Sequence, residues 1–219
     1  MVVKRAALFD VDKTLVSVNT ARLYARWRMR RQEVGVFDYL RLSKTLFEYK
    51  LGTLDPESAA REAFASIAGQ CEATLRNECR EWYGRAVRKH ISDRGRREVE
   101  RCLAAGITCA ILSASTPYIT EPLAEELGIE HLICTRLEVR DGAFTGGWEP
   151  PLCYGAGKVT HAVAWAQRHG VDLSQSTFYT DSISDLPMLE RVGSPRIVNP
   201  DPRLLMVARW RGYPVEKWK

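Results

Sequence analysis

Three short runs of apolar residues along the chain each end at a polar side chain. The runs cover residues 5–9, 108–112 and 177–180, and they end at Asp10, Ser113 and Asp181. Near-continuous apolar runs of this length are typical of strands in a parallel sheet that is buried on both faces. Because ligands bind at the carboxyl ends of such strands, the pattern predicts an α/β fold with one polar pocket at that edge of the sheet.

Residues with helical spacing lie between these runs. An apolar stripe at i, i+3, i+4, i+7 spacing is formed by Val159, Ala162, Val163 and Ala166. It predicts a helix that packs one face on the sheet. Residues Pro117 to Leu127 predict a second helix, which Gly128 ends. Alternating residues from Leu137 to Thr145, with Asp141-Gly142 between them, predict a β-hairpin.

The stretch from Val16 to Arg88 differs from the rest of the chain because its pattern is helical and predicts no strand. Asp55-Pro56 is typical of a helix start, with an N-cap carboxylate followed by a first-turn proline. The stripe that follows it is Ala60, Ala63, Phe64 and Ile67. About seventy helical residues are too many for a simple crossover between strands. We therefore predict an all-helical cap at residues 16–88, inserted into an α/β core of residues 1–15 and 89–219.

The composition is that of an ordinary folded domain. Hydrophobic residues make up 45% and charged residues 27% of the 219 residues, which excludes a disordered or membrane class. The apolar run near the start, Ala6 to Phe9, is too short for a signal peptide or a membrane span, so a cytoplasmic location is expected. The six cysteines are scattered without a CxxC pair, which argues against zinc and a disulfide framework.

The net charge of +5 is mild, and part of it lies in one arginine-rich segment. Its members are Arg26, Arg28, Arg30 and Arg31. A solvated helix face explains such a run, and a positive rim that attracts an anionic substrate is the functional alternative. Nucleic acid ranks third because no recognised binding motif accompanies the charge, and we expect neither a nucleic-acid nor a membrane partner.

Two carboxylates two residues apart, in Asp10-Val-Asp-Lys-Thr14, follow the first predicted strand. One of them can face a metal ion and a phosphorus atom while the other leans over the leaving-group oxygen. An Asp-x-Asp turn alone is equally typical of a solvated loop. Three further polar motifs follow in order: Ser113, Gly155-Ala-Gly-Lys158 and Asp181-Ser-Ile-Ser-Asp185.

These four motifs together resemble the haloacid dehalogenase superfamily of phosphatases. The resemblance spans nearly the whole chain and is closest to the phosphoserine-phosphatase-like branch, whose helical cap is inserted just after the first motif. It implies a Rossmann-like parallel sheet flanked by helices, together with that cap. It also implies an enzyme that hydrolyses phosphate monoesters with Mg²⁺.

The resemblance also implies roles for individual residues. Asp10 would be the nucleophile that attacks phosphorus, and Asp12 would protonate the leaving group and then activate water. Asp10, the backbone carbonyl of Asp12, and Asp181 would hold Mg²⁺, with Asp185 and Ser184 beside that shell. The predicted phosphate-binding residues are Thr14, Ser113, Ala114 and Lys158. Lys158 and Mg²⁺ are needed because a carboxylate repels a phosphate dianion unless positive charge neutralises its oxygens.

Substrate choice is expected to lie with the cap, where Asn19 stands in place of a glutamate that binds the amino group in phosphoserine phosphatases. We expect Asn19→Glu to improve the use of phosphoserine. The candidate cap contacts are Asn19, Arg22, Tyr24 and Trp27. The expected substrate is a small phosphorylated metabolite, either an amino-alcohol phosphate such as histidinol phosphate or a phosphoserine-like ester. A phosphotransferase or mutase and a non-catalytic phosphate-binding protein are the alternatives.

Overall fold

The computed structural model describes residues 4–31 and 55–218. Its strands are β1 (Ala6–Phe9), β2 (Thr108–Ser113), β3 (His131–Cys134), β4 (Leu137–Arg140), β5 (Ala143–Trp148), β6 (Thr177–Thr180), β7 (Ser194–Val198) and β8 (Val215–Glu216). Its α-helices are α1 (Thr20–Arg30), α2 (Pro56–Ala65), α3 (Glu72–Trp82), α4 (Asp93–Ala104), α5 (Pro117–Leu127), α6 (Ala156–His169), α7 (Leu186–Leu189) and α8 (Pro202–Arg211). A π-helical turn at Tyr83–Val87 follows α3 directly.

Six strands form one parallel sheet in the order β3-β2-β1-β6-β7-β8. β1 lies inside the sheet, where Phe9 is in register with Ile111 of β2 and Tyr179 of β6. The predicted α/β class is confirmed. The three predicted strands are present, and their observed bounds differ from the predicted ones by at most one residue.

Both faces of this sheet are buried, which explains why its strands read as unbroken apolar runs. On one face Phe9 and Ile111 share a core cluster with Val99 of α4 and Leu123 of α5. On the other face, alternate strand residues such as Leu8 pack with helices α6, α7 and α8. Each fully buried side chain of this size contributes roughly 1.5–3 kcal/mol to stability.

The helices predicted beside the sheet are present. α5 has the predicted bounds, and it ends at Gly128, which adopts the left-handed conformation at φ 70°. The stripe on α6 faces the sheet, with Ala162 and Ala166 buried and Val159 and Val163 half-buried at its margin. Local signals therefore determined both helices and their core-facing sides.

The predicted hairpin is confirmed as β4 and β5, which pair in antiparallel fashion. Asp141 and Gly142 have φ values of 50° and 76°, and two left-handed residues in succession are what a type I′ turn requires. Phe144 of this hairpin packs edge-on against Tyr118 of α5, in a cluster with Leu75 and Cys79 of α3. The hairpin therefore joins the helices of the predicted cap to the core.

The described part of the predicted cap, residues 16–31 and 55–88, is dominated by helices α1, α2 and α3. Asp55 caps α2 as predicted, since its side chain accepts a hydrogen bond from the Glu57 amide. The apolar stripe lies on α2 and just beyond its end, with Ala63 exposed and Ala60, Phe64 and Ile67 half-buried. Phe64 packs edge-on against Trp148 of β5, and Ile67 packs against the cluster that contains Tyr118 and Phe144. The cap and core boundaries remain a prediction.

A row of ion pairs ties α3 to α5. Arg76 pairs with Glu121, and one turn further on Arg80 pairs with Glu125. Tyr83 continues the row by donating to Glu126 at 2.6 Å. Exposed ion pairs contribute little one by one, but a row with helical spacing fixes the relative position of two helices. In the described ranges, no helix is long and apolar enough to cross a membrane.

Candidate active site

The carboxyl ends of β1, β2 and β6 meet at a cavity of about 260 Å³. Nine of the residues proposed from the sequence line it: Asp10, Asp12, Asn19, Ser113, Ala114, Lys158, Asp181, Ser184 and Asp185. The first turn of α1 forms part of the opposite wall through Thr20 and Ala21. Residues far apart in the chain are thus brought into a single polar pocket at the expected edge of the sheet.

Lys158 lies at the floor of this cavity between two aspartates. Its Nζ donates to Asp10 Oδ1 at 2.7 Å and to Asp185 Oδ2 at 2.8 Å. The side chains of all three residues are largely or fully buried. Burial alone lowers the pKa of Lys158, but attraction by Asp10 and Asp185 outweighs it and raises that pKa above its ordinary value. The two carboxylates therefore favour the charged ammonium form of Lys158.

The backbone at the start of α6, just before Lys158, is packed too closely for a side chain. Gly155 precedes the helix at φ 53°, and a Cβ atom on Gly157 would lie only 1.8 Å from the carbonyl oxygen of Leu152. The glycines of Gly155-Ala-Gly-Lys158 therefore allow a close approach of two backbone segments. That approach is what brings Lys158 to the cavity floor.

We expect Gly157→Ala to lower the free energy of unfolding by roughly 3 kcal/mol, since backbone atoms must move to admit the methyl group. Urea denaturation measures this change. Gly84→Ala is the matched control, because nothing lies within 4 Å of a Cβ atom there. Equal stability of the two variants would show that the close approach at Gly157 does not constrain this helix.

Asp12 is held by the N-terminus of α1. Its Oδ1 accepts from the Thr20 amide at 2.9 Å and from Thr20 Oγ1 at 2.7 Å, and its Oδ2 accepts from Asn19 Nδ2 at 2.6 Å. Burial raises the pKa of Asp12, while the hydrogen bonds from Thr20 oppose that rise. A carboxyl group with a fixed orientation and a raised pKa suits proton transfer.

Asp181 lies on the wall formed by the end of β6. Lys13 Nζ contacts Asp181 Oδ2 at 3.3 Å. Burial raises the pKa of Asp181 to about 8, repulsion from Asp10 adds to the rise, and Lys13 opposes it. The backbone there is anchored from the C-terminal side, since the Asp201 amide donates to the Asp181 carbonyl and Asp201 Oδ2 accepts from the Ile183 amide.

The predicted phosphate-binding residues divide into two groups. Ser113 and Ala114 line the cavity at the end of β2, and the Ser113 hydroxyl accepts from the Ser115 amide at 3.2 Å. Thr14 does not line it, and its fully buried hydroxyl has no hydrogen-bond partner among the described residues. The hydroxyl of Thr14 therefore makes no hydrogen bond with Asp10 or Asp12.

Of the four candidate substrate contacts in the cap, one lines the cavity and three do not. Asn19 lines the cavity, where it both caps α1 and holds Asp12. Arg22, Tyr24 and Trp27 are not among its lining residues. Tyr24 packs against Trp82 and Trp27 within the helical region, so its ring stabilises that region.

The arginine-rich segment of α1 also covers aromatic rings. Arg28 and Arg31 lie over the rings of Tyr24 and Trp27, at 6.0 and 4.6 Å from the ring centroids. Arg31 in addition pairs with Glu81 at 3.4 Å. Arg28 and Arg31 of this segment thus make their contacts with aromatic and acidic side chains of the helical region.

The charges of the cavity suit a divalent cation. Four aspartates face two lysines there, and burial raises the pKa of Asp10 to about 7 despite the opposing effect of Lys158. Asp185 Oδ1 is buried and has no hydrogen-bond partner among the described residues. Oxygen donors with an excess of negative charge match the preference of Mg²⁺. Within the described ranges the acidic side chains do not form a three-ligand cluster, and lysines pair with Asp10, Asp181 and Asp185.

Several residues that shape the cavity were missed by the sequence analysis. Lys13, Thr20 and Tyr154 line it, and Asn199 and Asp201 support its loops from behind. Thr20 follows Asn19 at a helix start, so the N-cap preference of asparagine is a signal that points to this turn. Asn199 and Asp201 contact residues that lie 186 and 18 positions away, and no local sequence pattern predicts such contacts.

Comparison with known proteins agrees with this geometry. The haloacid dehalogenase-like hydrolase family matches this chain over residues 7–190. A histidinol-phosphatase from Neisseria meningitidis is 28% identical, over 99% of this chain and 100% of its own length. The phosphoserine phosphatase SerB1 from Mycobacterium tuberculosis is 32% identical, over 98% of this chain and 71% of its own length.

Solved structures share the fold. A protein of unknown function from Bordetella pertussis superposes with a TM-score of 0.88 at 32% identity, covering 97% of both chains. A substrate-bound phosphoserine phosphatase superposes with a TM-score of 0.74 at 20% identity, covering 99% of this chain and 94% of its own. The resemblance drawn from the four motifs is confirmed, and the chain belongs to the haloacid dehalogenase-like hydrolase family.

Proposed function

We propose that the protein is a Mg²⁺-dependent phosphatase that hydrolyses a small phosphate monoester through a phosphorylated Asp10. The contact of 2.7 Å between Lys158 Nζ and Asp10 Oδ1, in a cavity that Asp12 also lines, is the observation that carries this proposal. A carboxylate at this position repels a phosphate dianion, so it has little value in a site that only binds phosphate, and the ammonium offsets that repulsion. It is what a carboxylate nucleophile needs when it approaches a phosphate dianion.

In the first step an Asp10 carboxylate oxygen forms a bond to phosphorus, and the bond between phosphorus and the ester oxygen breaks. Lys158 neutralises charge on the phosphoryl oxygens as they move toward Asp10. Asp12 gives its proton to the departing alkoxide, so that the alcohol leaves neutral. The hydrogen bonds from Thr20 and Asn19 keep the Asp12 carboxyl in one orientation during that transfer.

In the second step water attacks the phosphorus of the aspartyl phosphate. Asp12, now ionised, takes a proton from that water, and the Asp10 carboxylate is released together with inorganic phosphate. Asp12 thus serves as acid and then as base, and returns to its starting state. Ser113 and Ala114 line the same cavity, and the Ser113 hydroxyl, which accepts from the Ser115 amide, can donate to a phosphoryl oxygen.

Asp10, the backbone carbonyl of Asp12, and Asp181 would hold the Mg²⁺ ion, with Asp185 next to it. When bound, the ion supplies positive charge to the phosphoryl oxygens and offsets the repulsion between the carboxylates. The raised pKa values of Asp10 and Asp181 support this assignment, since a nearby cation favours the ionised form of both groups.

The proposed substrate is a small amino-alcohol phosphate or a related phosphomonoester. A cavity of about 260 Å³ has space for a phosphate and a short carbon skeleton. Two relatives carry the names histidinol-phosphatase and phosphoserine phosphatase, and both names describe esters of amino alcohols or amino acids. Those names support the class of substrate and leave its identity open to experiment.

The direct test is a screen of the purified protein with Mg²⁺ against histidinol phosphate, phosphoserine, sugar phosphates and nucleotides. We expect release of inorganic phosphate that stops when the metal is chelated. Product analysis separates a hydrolase from a phosphotransferase or mutase, which would move the phosphoryl group to another hydroxyl. Absence of phosphate release from every ester, by protein shown to be folded, would overturn the proposal.

The contact between Asn19 and Asp12 changes the result expected for Asn19→Glu. A glutamate there places a second carboxylate next to Asp12 Oδ2 and replaces a good helix cap with a poor one. We expect kcat to fall by about tenfold to 100-fold on every substrate, phosphoserine included. Asn19→Ser is the control, because serine keeps the cap and adds no charge. Improved phosphoserine turnover in Asn19→Glu would show that Asn19 faces the substrate and does not position Asp12.

A further inference from the structure

Lys13 is a cation of the cavity that the proposed reaction does not use. Its Nζ contacts Asp181 Oδ2 at 3.3 Å, and its side chain is 46% exposed whereas that of Asp181 is 8% exposed. A lysine on a flexible stem can move toward solvent at low cost, because water rehydrates its ammonium group. Asp181 is enclosed and lacks that freedom. In this pair Lys13 is therefore the partner that is able to leave.

The backbone at Lys13 is fixed in an unusual conformation. Its φ is 53°, in the left-handed region that costs a residue with a Cβ atom about 1–2 kcal/mol. The main chain is held on both sides, since Asn199 Nδ2 donates to the Lys13 carbonyl at 2.7 Å and the Lys13 amide donates to the Val18 carbonyl at 3.2 Å. Movement at this position is thus confined to the side chain.

The two lysines of the cavity differ in how easily each can leave its carboxylate partners. Lys158 is only 3% exposed and is shared between Asp10 and Asp185, so it cannot leave without uncovering two buried charges. Lys13 has one acidic contact and an open path to solvent. Its contact is with Asp181, the one carboxylate in the proposed Mg²⁺ site that no other lysine of the described residues engages.

We propose that Lys13 is a built-in counter-ion for the metal site, which covers Asp181 when the metal is absent and is displaced when Mg²⁺ binds. This inference rests on the proposed magnesium site. It implies that Lys13 has opposite effects on the stability of the metal-free protein and on the affinity for Mg²⁺. The lysine stabilises the metal-free protein by neutralising Asp181, and it weakens Mg²⁺ binding because the ion must displace it and then tolerate a nearby positive charge.

The test compares Lys13→Met, which removes the charge but keeps the length and the Cβ atom, with Lys13→Arg, which keeps the charge. Mg²⁺ alone is titrated into metal-free protein by calorimetry, without substrate. Even with water-like screening, loss of one positive charge next to a divalent ion is expected to lower the Kd for Mg²⁺ about tenfold. Lys13→Arg should bind Mg²⁺ as the wild type does. An unchanged or higher Kd in Lys13→Met would overturn the inference.

Thermal unfolding of the same variants provides a second readout. Without metal, Lys13→Met should melt below the wild type because Asp181 has lost its counter-ion. At saturating Mg²⁺ that difference should vanish or change sign, because ligand binding stabilises the tighter binder more at a given concentration. If the melting temperature of Lys13→Met stays below that of the wild type by the same amount at every Mg²⁺ concentration, Lys13 has only a structural role. If the wild type binds no Mg²⁺ and behaves like Asp181→Asn, the proposed metal site itself fails.

Discussion

Asp10→Asn should reduce kcat for any phosphomonoester on the order of 10⁴-fold or more in the presence of Mg²⁺. An amide has no negative charge with which to attack phosphorus, so the covalent step is lost. The fold should survive, because asparagine has nearly the same shape and its amide oxygen can still accept from Lys158 Nζ. Stopped assays of phosphate release measure the loss, and circular dichroism checks the fold.

Asp141→Asn is the matched control for this experiment. It removes one carboxylate in the same way, but at an exposed hairpin position whose φ of 50° suits asparagine. Its turnover should equal that of the wild type. Mass spectrometry of acid-quenched wild-type enzyme should find one phosphoryl group on the peptide that contains Asp10. Near-normal turnover by Asp10→Asn, or a phosphoryl group on a different residue, would contradict the covalent route.

Much of the fold was predictable because its signals are local. The strand before Asp10, the helix that ends at Gly128 and the turn at Asp141-Gly142 each depend on residues within a few positions of one another. Asp10, Ser113 and Asp181 were predicted to share a pocket because parallel strands end at one edge, and the family resemblance added Lys158. The structure brings these four residues together around one cavity.

What escaped prediction depends on contacts between distant parts of the chain. Lys13 looks like a solvated turn residue in the sequence, and only the folded chain brings it to Asp181, 168 positions away. Thr14 belongs to the first motif, yet its hydroxyl points into the protein and not into the cavity. Asn19 lines the cavity and stays a candidate substrate contact, but the sequence did not reveal that its amide also holds Asp12.

The site concentrates features that are costly for stability. Four carboxylates converge there on two ammonium groups, one carboxylate oxygen of Asp185 has no hydrogen-bond partner among the described residues, and Lys13 occupies a left-handed conformation. The remainder of the sheet follows the simple rule of apolar faces covered by helices. Destabilising features of this kind are expected at functional sites, where charged groups must be held in place for catalysis.

Lys158→Met should abolish turnover and also lower the free energy of unfolding by about 3–5 kcal/mol, as is usual when one partner of a buried ion pair is removed. Asp10 and Asp185 would then be buried side by side without the ammonium that now lies 2.7 and 2.8 Å from them. Urea denaturation in the absence of metal measures the stability change. Phosphate release with Mg²⁺ measures the activity.

The double variant Lys158→Met/Asp185→Asn separates the two roles of the lysine. Removing the Asp185 charge relieves the excess of negative charge, so most of the lost stability should return. Activity should not return, because the transferring phosphoryl group still lacks the ammonium beside Asp10. A single variant as stable as the wild type would show that Lys158 does not balance the buried aspartates. A double variant that regains turnover would show that Lys158 does not assist phosphoryl transfer.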